Sequence, residues 1–289
     1  MPRGAPDLYT VAAMPAEIPE RPLPRRVHLM LTCLCDALFA DVGRSVVRVL
    51  EHLGVEVVFD PRQTCCGQPA FNSGDWTNAR AVARHTLGVF EDADCIVCPS
   101  GSCTAMVRWG YPMLFAGERD EARARALGAK TWDFTEFLWK AAGVREWPHP
   151  VRPRLAALHR SCHLRELGVG RIPERLLGTI PGLQLAAFDE QEQCCGFGGT
   201  FSVTFPHISR AMGCVKLDMI ARSGATEIIS GDMGCLFHLQ GLARKHGRRE
   251  LRATHIAQIF SEGLVDESFR QSTGPRDNPD ENRRSSHRR

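Results

Sequence analysis

Apolar positions in this chain fall into short runs separated by longer amphipathic stretches. Val27 to Thr32 reads as a strand, and Val42, Val46, Val49, Leu50 and Leu53 then recur at helical spacing. Val55 to Phe59 predicts a second strand, and Asp75 stands where it would cap a helix carrying Ala79, Val82, Ala83 and Phe90. Cys95 to Cys98 predicts a third strand, and Trp132 to Ala142 a closing helix. The pattern then starts again. Leu155 to His159 and Leu183 to Phe188 read as strands, Ile208, Met212, Val215 and Met219 mark a helix, and Thr226 to Ser230 is a strand. The final helix places Ile256, Ile259 and Phe260 at the spacing of Phe134, Phe137 and Leu138.

The recurrence extends to identities. A shift of 129 positions carries Arg25 to Arg154, Leu29 to Leu158, Phe59 to Phe188, Cys33 to Cys162, and Cys65-Cys66-Gly67 to Cys194-Cys195-Gly196. Cys103 and Cys235 match at a shift of 132, as expected if one loop gained three residues. This is an internal duplication. Alternating strands and helices predict an α/β fold of two pseudo-symmetric Rossmann-like lobes with mainly parallel sheets, each carrying one CCG cysteine set. The expected divisions are a disordered segment over 1–25, a first cysteine-rich domain over 26–150, a second over 151–265, and a disordered tail over 266–289. Ligands of such sheets gather beyond the carboxyl ends of the strands, which is where the repeated cysteines fall.

Composition narrows the possibilities. The chain has 289 residues, 43% of them apolar, and no apolar run near the ~20 residues that cross a bilayer. No basic leader followed by a hydrophobic stretch is legible at the N-terminus, which predicts a cytoplasmic protein. The net charge of +3 lies partly in the two terminal segments, so the body lacks the concentrated basic surface that nucleic acid requires. Twelve cysteines are the anomaly. In a reducing compartment such enrichment points to metal or redox chemistry rather than disulfides.

Core filling, zinc and iron-sulfur are the competing uses. Duplicated cysteines placed after strands exceed what packing requires. Neighbouring side chains on extended backbone point to opposite faces, so Cys65 and Cys66 share a site only where the chain turns, as Gly67 permits. A zinc site is usually chelated by C-x₂₋₄-C pairs, and the repeated set lacks that spacing. A multi-iron cluster lets adjacent thiolates reach different irons, so iron-sulfur is favoured. Helix N-termini after Cys103 and Cys235 are expected to aim N–H groups at the sulfurs.

Thr32-Cys33-Leu34, the string Thr64 to Gly74 (TCCGQPAFNSG), Pro99 to Cys103, Ser161-Cys162-His163, the string Cys194 to Ser202 (CCGFGGTFS) and Gly234-Cys235-Leu236 resemble the lactate-utilisation protein A family over about residues 26 to 262. That family is similar to the heterodisulfide reductase B subunit and the glycolate oxidase iron-sulfur subunit. The resemblance implies an electron-carrying subunit of an L-lactate to pyruvate oxidation system, working with two other lactate-utilisation proteins, one a larger iron-sulfur protein. It implies metal ligation by Cys33, Cys65, Cys66 and Cys103 in one lobe and by Cys162, Cys194, Cys195 and Cys235 in the other. The superfamily's fuller motif ends in a CxxC pair, whose first member is here Ser100 in one copy and Asp232 in the other. Four thiols per set make an ordinary [4Fe-4S] cluster the simpler expectation, up to one per lobe, with zinc an alternative in one lobe. The competing functions are a heterodisulfide-reductase-like or glycolate-oxidase-like redox subunit and, in a different class, a zinc-stabilised scaffold without redox activity.

Secondary candidates are Cys98, Asp232 and His163. Cys98 precedes Ser100 and is a possible substitute thiol, although it falls, like Cys95, in an apolar strand where buried filling is expected. Asp232 is an oxygen donor whose commoner role is to bind backbone N–H groups in a turn. His163 adjoins Cys162 and is the foremost of His163, His207, His238 and His255 for ligation, a hydrogen bond to sulfur, or proton coupling. Arg160 and Arg165 could attract an anion, the run Gly196 to Gly199 is expected to let backbone approach a cluster, and Cys35 and Cys214 read as free thiols.

Overall fold

The computed structural model of the chain describes residues 23–272. The segments 1–22 and 273–289, with most of the two stretches expected to be disordered, lie outside the described residues. Two four-stranded sheets form. The first contains β1 (Arg26–Leu29), β2 (Glu56–Val58), β3 (Ile96–Cys98) and β4 (Thr131–Asp133) in the order β2-β1-β3-β4. The second contains β5 (Arg154–Leu158), β6 (Leu183–Leu185), β7 (Glu227–Ser230) and β8 (Arg252–His255) in the order β6-β5-β7-β8. Every pairing is parallel, and helices make the crossovers. The duplication read from the cysteines is therefore a duplication of topology.

Each sheet has one strand more than the apolar pattern predicts. Trp132 belongs to β4 rather than to a helix, which begins only at Phe134, where the Asp133 carboxylate accepts N–H bonds from Thr135 and Glu136. In the second lobe β8 ends at His255, directly before the helix Ile256–Ser272. That helix extends seven residues into the segment 266–289. Ile256, Ile259, Phe260, Phe134, Phe137 and Leu138 are all buried, in one apolar core drawn from both halves of the chain. Phe134 meets Phe260 edge-on at a centroid distance of 6.1 Å.

The helix Pro206–Arg222 forms as predicted but buries a different face. Ile208 and Val215 are exposed, whereas Ser209, Gly213, Lys216, Leu217 and Ile220 face inward. Lys216 tolerates burial because its Nζ donates to the carbonyls of Glu190 and Gln191 at 2.9 and 2.8 Å. Among the described residues, no helix is long and apolar enough to cross a membrane.

Candidate metal centres

The carboxyl ends of three strands in each lobe deliver the cysteines. Cys33 and Cys162 open short helices, Cys33–Leu38 and Cys162–Glu166, just after β1 and β5. The loops leaving β2 and β6 end in the CCG triplets, whose glycines adopt left-handed backbone, φ +84° at Gly67 and +87° at Gly196. An L side chain is strained there, so glycine lets the chain reverse and swing both thiols inward. Cys103 and Cys235 lie within the helices Gly101–Ala105 and Met233–Lys245, which follow β3 and β7.

The thiols meet. Cys33 Sγ is 3.7 Å from Cys65 Sγ, and Cys66 Sγ is 3.5 Å from Cys103 Sγ. Cys65 adjoins Cys66, which closes the first quartet. In the second lobe contacts run from Cys162 to Cys194, Cys195 and Cys235 in the same order. All twelve cysteines are free of disulfides.

The N–H groups directed at the CCG sulfurs come from the turns, and the helix N-termini at Cys103 and Cys235 do not supply them as expected; Cys33 takes one from Leu34 in its own helix. Gly67 N–H donates to Cys65 Sγ and Gly196 N–H to Cys194 Sγ, each at 3.4 Å, and Phe197 N–H donates to Cys195 Sγ at 3.5 Å. The helices carrying Cys103 and Cys235 begin ahead of those residues. Their first-turn donors are taken by oxygen: Ser100 Oγ accepts from Cys103 N–H at 3.4 Å, and Asp232 Oδ1 from Gly234 N–H at 3.0 Å.

Hydrogen bonds from neighbouring thiols, reinforced by these turn amides, pull Cys65 and Cys194 from the usual thiol range down to about 2. Their donors, Cys33 and Cys162, are pushed up in consequence, as are the buried Cys66 and Cys195. Each quartet thus already favours a thiolate, the form that binds metal. The donor set suits a thiophilic metal centre. Cys33, Cys65, Cys66 and Cys103 would hold one, and Cys162, Cys194, Cys195 and Cys235 another.

Cys98 is buried, but its thiol also reaches Cys103, so the first lobe gathers five sulfurs. The alternation expected of a strand misses this because Cys98 is the last residue of β3, where the chain turns. Cys95 is buried and pushed up to about 11, and Cys35 is buried in the core and pushed up to about 12, both chiefly by desolvation. Cys214 Sγ lies 3.3 Å from His246 Nε2, outside both quartets.

Asp232 points across the molecule. Its Oδ2 accepts from Ser102 N–H at 2.8 Å and from Ser100 Oγ at 3.3 Å. Ser100 and Asp232 correspond in the repeat, and equivalent residues that touch lie beside the pseudo-twofold axis. Gly101 N–H donates to the Gly231 carbonyl at 3.3 Å, and His255 Nε2 to the Pro99 carbonyl at 3.1 Å, strengthening the same seam. His163 belongs to this seam as well. The Gln68 amide donates to its Nε2 at 3.4 Å, leaving Nδ1 as the donor to Cys162 Sγ at 3.7 Å.

The other polar candidates have partners elsewhere. Arg160 pairs with Glu174, and Arg165 with Glu192 at 3.2 Å. His238 contacts the Ser209 carbonyl at 3.4 Å, and His207 is exposed. Gly196 serves the helix Pro206–Arg222 more than a cluster, since a Cβ there would come 2.5 Å from the Ser209 carbonyl oxygen. A cleft of about 390 Å³, lined by Arg26, His28, Glu56 and Asp94 among others, lies at the opposite, amino ends of the first sheet's strands.

Two residues at the second site escape sequence reasoning. Lys216 feels the charge of Cys195, Cys194 and Cys235, although burial still lowers its basicity to about 8. His159, directly after β5, is 1% exposed, and one of its nitrogens lies within 4.8 Å of Cys195 Sγ and Cys235 Sγ. The available signal was its position, one residue past a strand end beside Cys162.

A duplicated parallel α/β fold with a cysteine quartet closed by a CCG turn in each half defines a two-domain cysteine-rich protein. The family model described as a cysteine-rich domain, CCG, matches residues 27–108 and 156–240. Over 242 residues the chain is 43% identical to Lactate utilization protein A of an Exiguobacterium species, covering 82% of this chain and 98% of that protein. It is 40% identical to the protein of that name from a Geobacillus species over 238 residues, covering 82% of this chain and 99% of the relative. The chain belongs to the lactate utilization protein A family. A hypothetical protein from Helicobacter pylori shares the fold, with a TM-score of 0.59 at 12% identity, over 86% of this chain and 50% of that one.

Proposed function

We propose that this chain is the iron-sulfur electron-transfer subunit of a system oxidising L-lactate to pyruvate, in the cytoplasm and in company with two other lactate-utilisation proteins, one a larger iron-sulfur protein. The observation that carries the reading is the convergence of four unpaired thiols in each lobe, with Cys65 and Cys194 held toward thiolate by neighbouring thiols and, secondarily, by turn amides. Residues 26–150 and 151–265 are the two domains in this proposal, each taking up to one cluster, [4Fe-4S] in type. When bound, such a cluster supplies one-electron transfer at a potential set by burial and by hydrogen bonds to its sulfurs. The chain's own part is to hold those sulfurs, donate N–H bonds to them from Gly67, Gly196 and Phe197, and exclude water from the buried Cys66, Cys103, Cys195 and Cys235.

Anaerobic purification followed by iron, acid-labile sulfide and zinc analysis tests the cofactor. Cys65→Ser with Cys66→Ser should remove one centre's visible absorption, and Cys194→Ser with Cys195→Ser the other's. Unchanged absorption in both would refute the assignment. The complex reconstituted with its partners should reduce an artificial acceptor with L-lactate, and a response only to glycolate or only to a thiol donor would refute the substrate. Zinc in the second lobe is a competing reading favoured by one observation, the imidazole of His159 beside Cys195 and Cys235.

A further inference from the structure

The two cysteine sets share a topology but not a donor chemistry. At the repeat shift of 129, His159 replaces Met30, and at the shift of 132 Ser230 replaces Cys98. At these equivalent positions the first lobe has a thioether and a fifth thiol, the second an imidazole and a hydroxyl. His159 is 1% exposed, and neither of its ring nitrogens has a hydrogen-bond partner. Ser230 Oγ, on the adjacent strand β7, is likewise buried without a partner. Leaving a buried polar group unpaired costs about 1–3 kcal/mol, so an imidazole orphaned at both nitrogens calls for something that takes a lone pair. One nitrogen lies within 4.8 Å of both Cys195 Sγ and Cys235 Sγ, the two buried thiols of the quartet. Imidazole in its uncharged form carries one lone-pair nitrogen and is a common metal ligand.

We propose that His159 is a ligand of the metal centre in the second lobe, taking a coordination position in place of one of the four thiols, so that this is a mixed thiolate-imidazole site, while the centre in the first lobe is held by sulfur alone. This rests on the reading above that each cysteine set holds a metal, but it does not depend on which metal. His163 has a different place, since its Nε2 is occupied by Gln68 and its Nδ1 by Cys162 Sγ. It serves as the internal control for a histidine that touches sulfur without touching metal.

The test uses the full chain, anaerobically loaded and labelled with ¹⁵N-histidine. If iron and sulfide are present, pulsed electron paramagnetic resonance of the reduced protein should show a histidine nitrogen bonded directly to the cluster. That signal should vanish in His159→Gln and persist in His163→Gln. If the second site holds zinc, the iron-sulfur reading of that lobe fails, and X-ray absorption at the zinc edge should show an imidazole shell with the same response to the two substitutions. In either case His159→Gln should weaken retention of the second-site metal against a chelator by at least about tenfold. His159→Cys, which returns a thiolate to the position, should restore metal retention without the nitrogen signal and shows that the fold survives the change. A bound metal without a nitrogen donor would overturn the proposal. So would a nitrogen signal indifferent to His159→Gln, or no metal that Cys194→Ser with Cys195→Ser releases.

Discussion

Gly196 gives the sharpest test of how the second CCG turn is built. Its φ of +87° lies where an L residue pays about 1–2 kcal/mol. Its Cβ position is 2.5 Å from the Ser209 carbonyl oxygen and 2.9 Å from Met212 Cβ, both on the helix Pro206–Arg222. Neither the backbone oxygen nor a Cβ can swing aside, so overpacking adds about 1–3 kcal/mol. Gly196→Ala should then cost about 2–5 kcal/mol, a large share of a total stability of about 5–15 kcal/mol. Two glycines calibrate that figure. Gly67 has a φ of +84°, but its Cβ would meet only Val82 side-chain carbons at 3.3 Å or more and the Ala79 carbonyl oxygen at 3.5 Å. Gly67→Ala should therefore cost about 1–2 kcal/mol. Gly199 has a φ of +61° and open space around it, so Gly199→Ala measures backbone strain alone. Urea unfolding of the reduced, metal-free chains at neutral pH gives the three differences directly. The backbone shift that relieves the clash also moves the amide that donates to Cys194 Sγ, so Gly196→Ala should lower second-site metal content more than first-site content. Equal costs for Gly196→Ala and Gly199→Ala would refute the view that a close helix, rather than the turn alone, demands glycine.

Asp232→Ala removes a helix cap and leaves the half-buried Ser102 N–H without its partner, so it should destabilise the chain by about 1–3 kcal/mol in the same assay, and a change below about 0.5 kcal/mol would count against the cross-lobe role. His255 is fully buried, and desolvation lowers its pKa from 6.5 to about 4. The unfolded chain therefore binds the extra proton more readily, so the stability His255 confers is complete above pH 6.5 and is lost as the pH falls toward 4, by about 3 kcal/mol. His255→Gln should flatten that part of the stability profile, and an unaltered acid response would rule the histidine out as its source. Cys35 is packed in the core and, although it feels the charge of Cys103, is a member of neither quartet; Cys35→Ala should leave metal content intact while costing about 1–2 kcal/mol in unfolding, and loss of metal would move Cys35 into a site.

The parallel lobes and the convergence of the cysteines were legible because the repeat is carried by identities at fixed offsets, and strand ends are where such sheets bind ligands. The short strands β4 and β8 were not legible. Three or four residues leave almost no alternation to read, and Asp133 and His255, which cap the helices that follow, look like helix starts. The inward face of Pro206–Arg222 was missed because small residues and a carbonyl-bound lysine hold it, while apolar Ile208 and Val215 face outward. His159 escaped notice because its meaning lies in what it fails to bond, a property of the fold and not of the string.

The contact between Ser100 and Asp232 sets a choice between two demands on one position. In the fuller superfamily motif that position carries a thiol turned toward metal, whereas here the paired oxygens are spent on clasping the halves together. An engineer who restored cysteine at 232 would gain a potential ligand and cut the clasp in the same stroke. Reopening the seam would loosen Gln68 from His163 as well, and the hydrogen bond at Cys162 along with it. Rigidity between the halves and the hydrogen bonding of the second cysteine quartet are in this way written into the same few atoms.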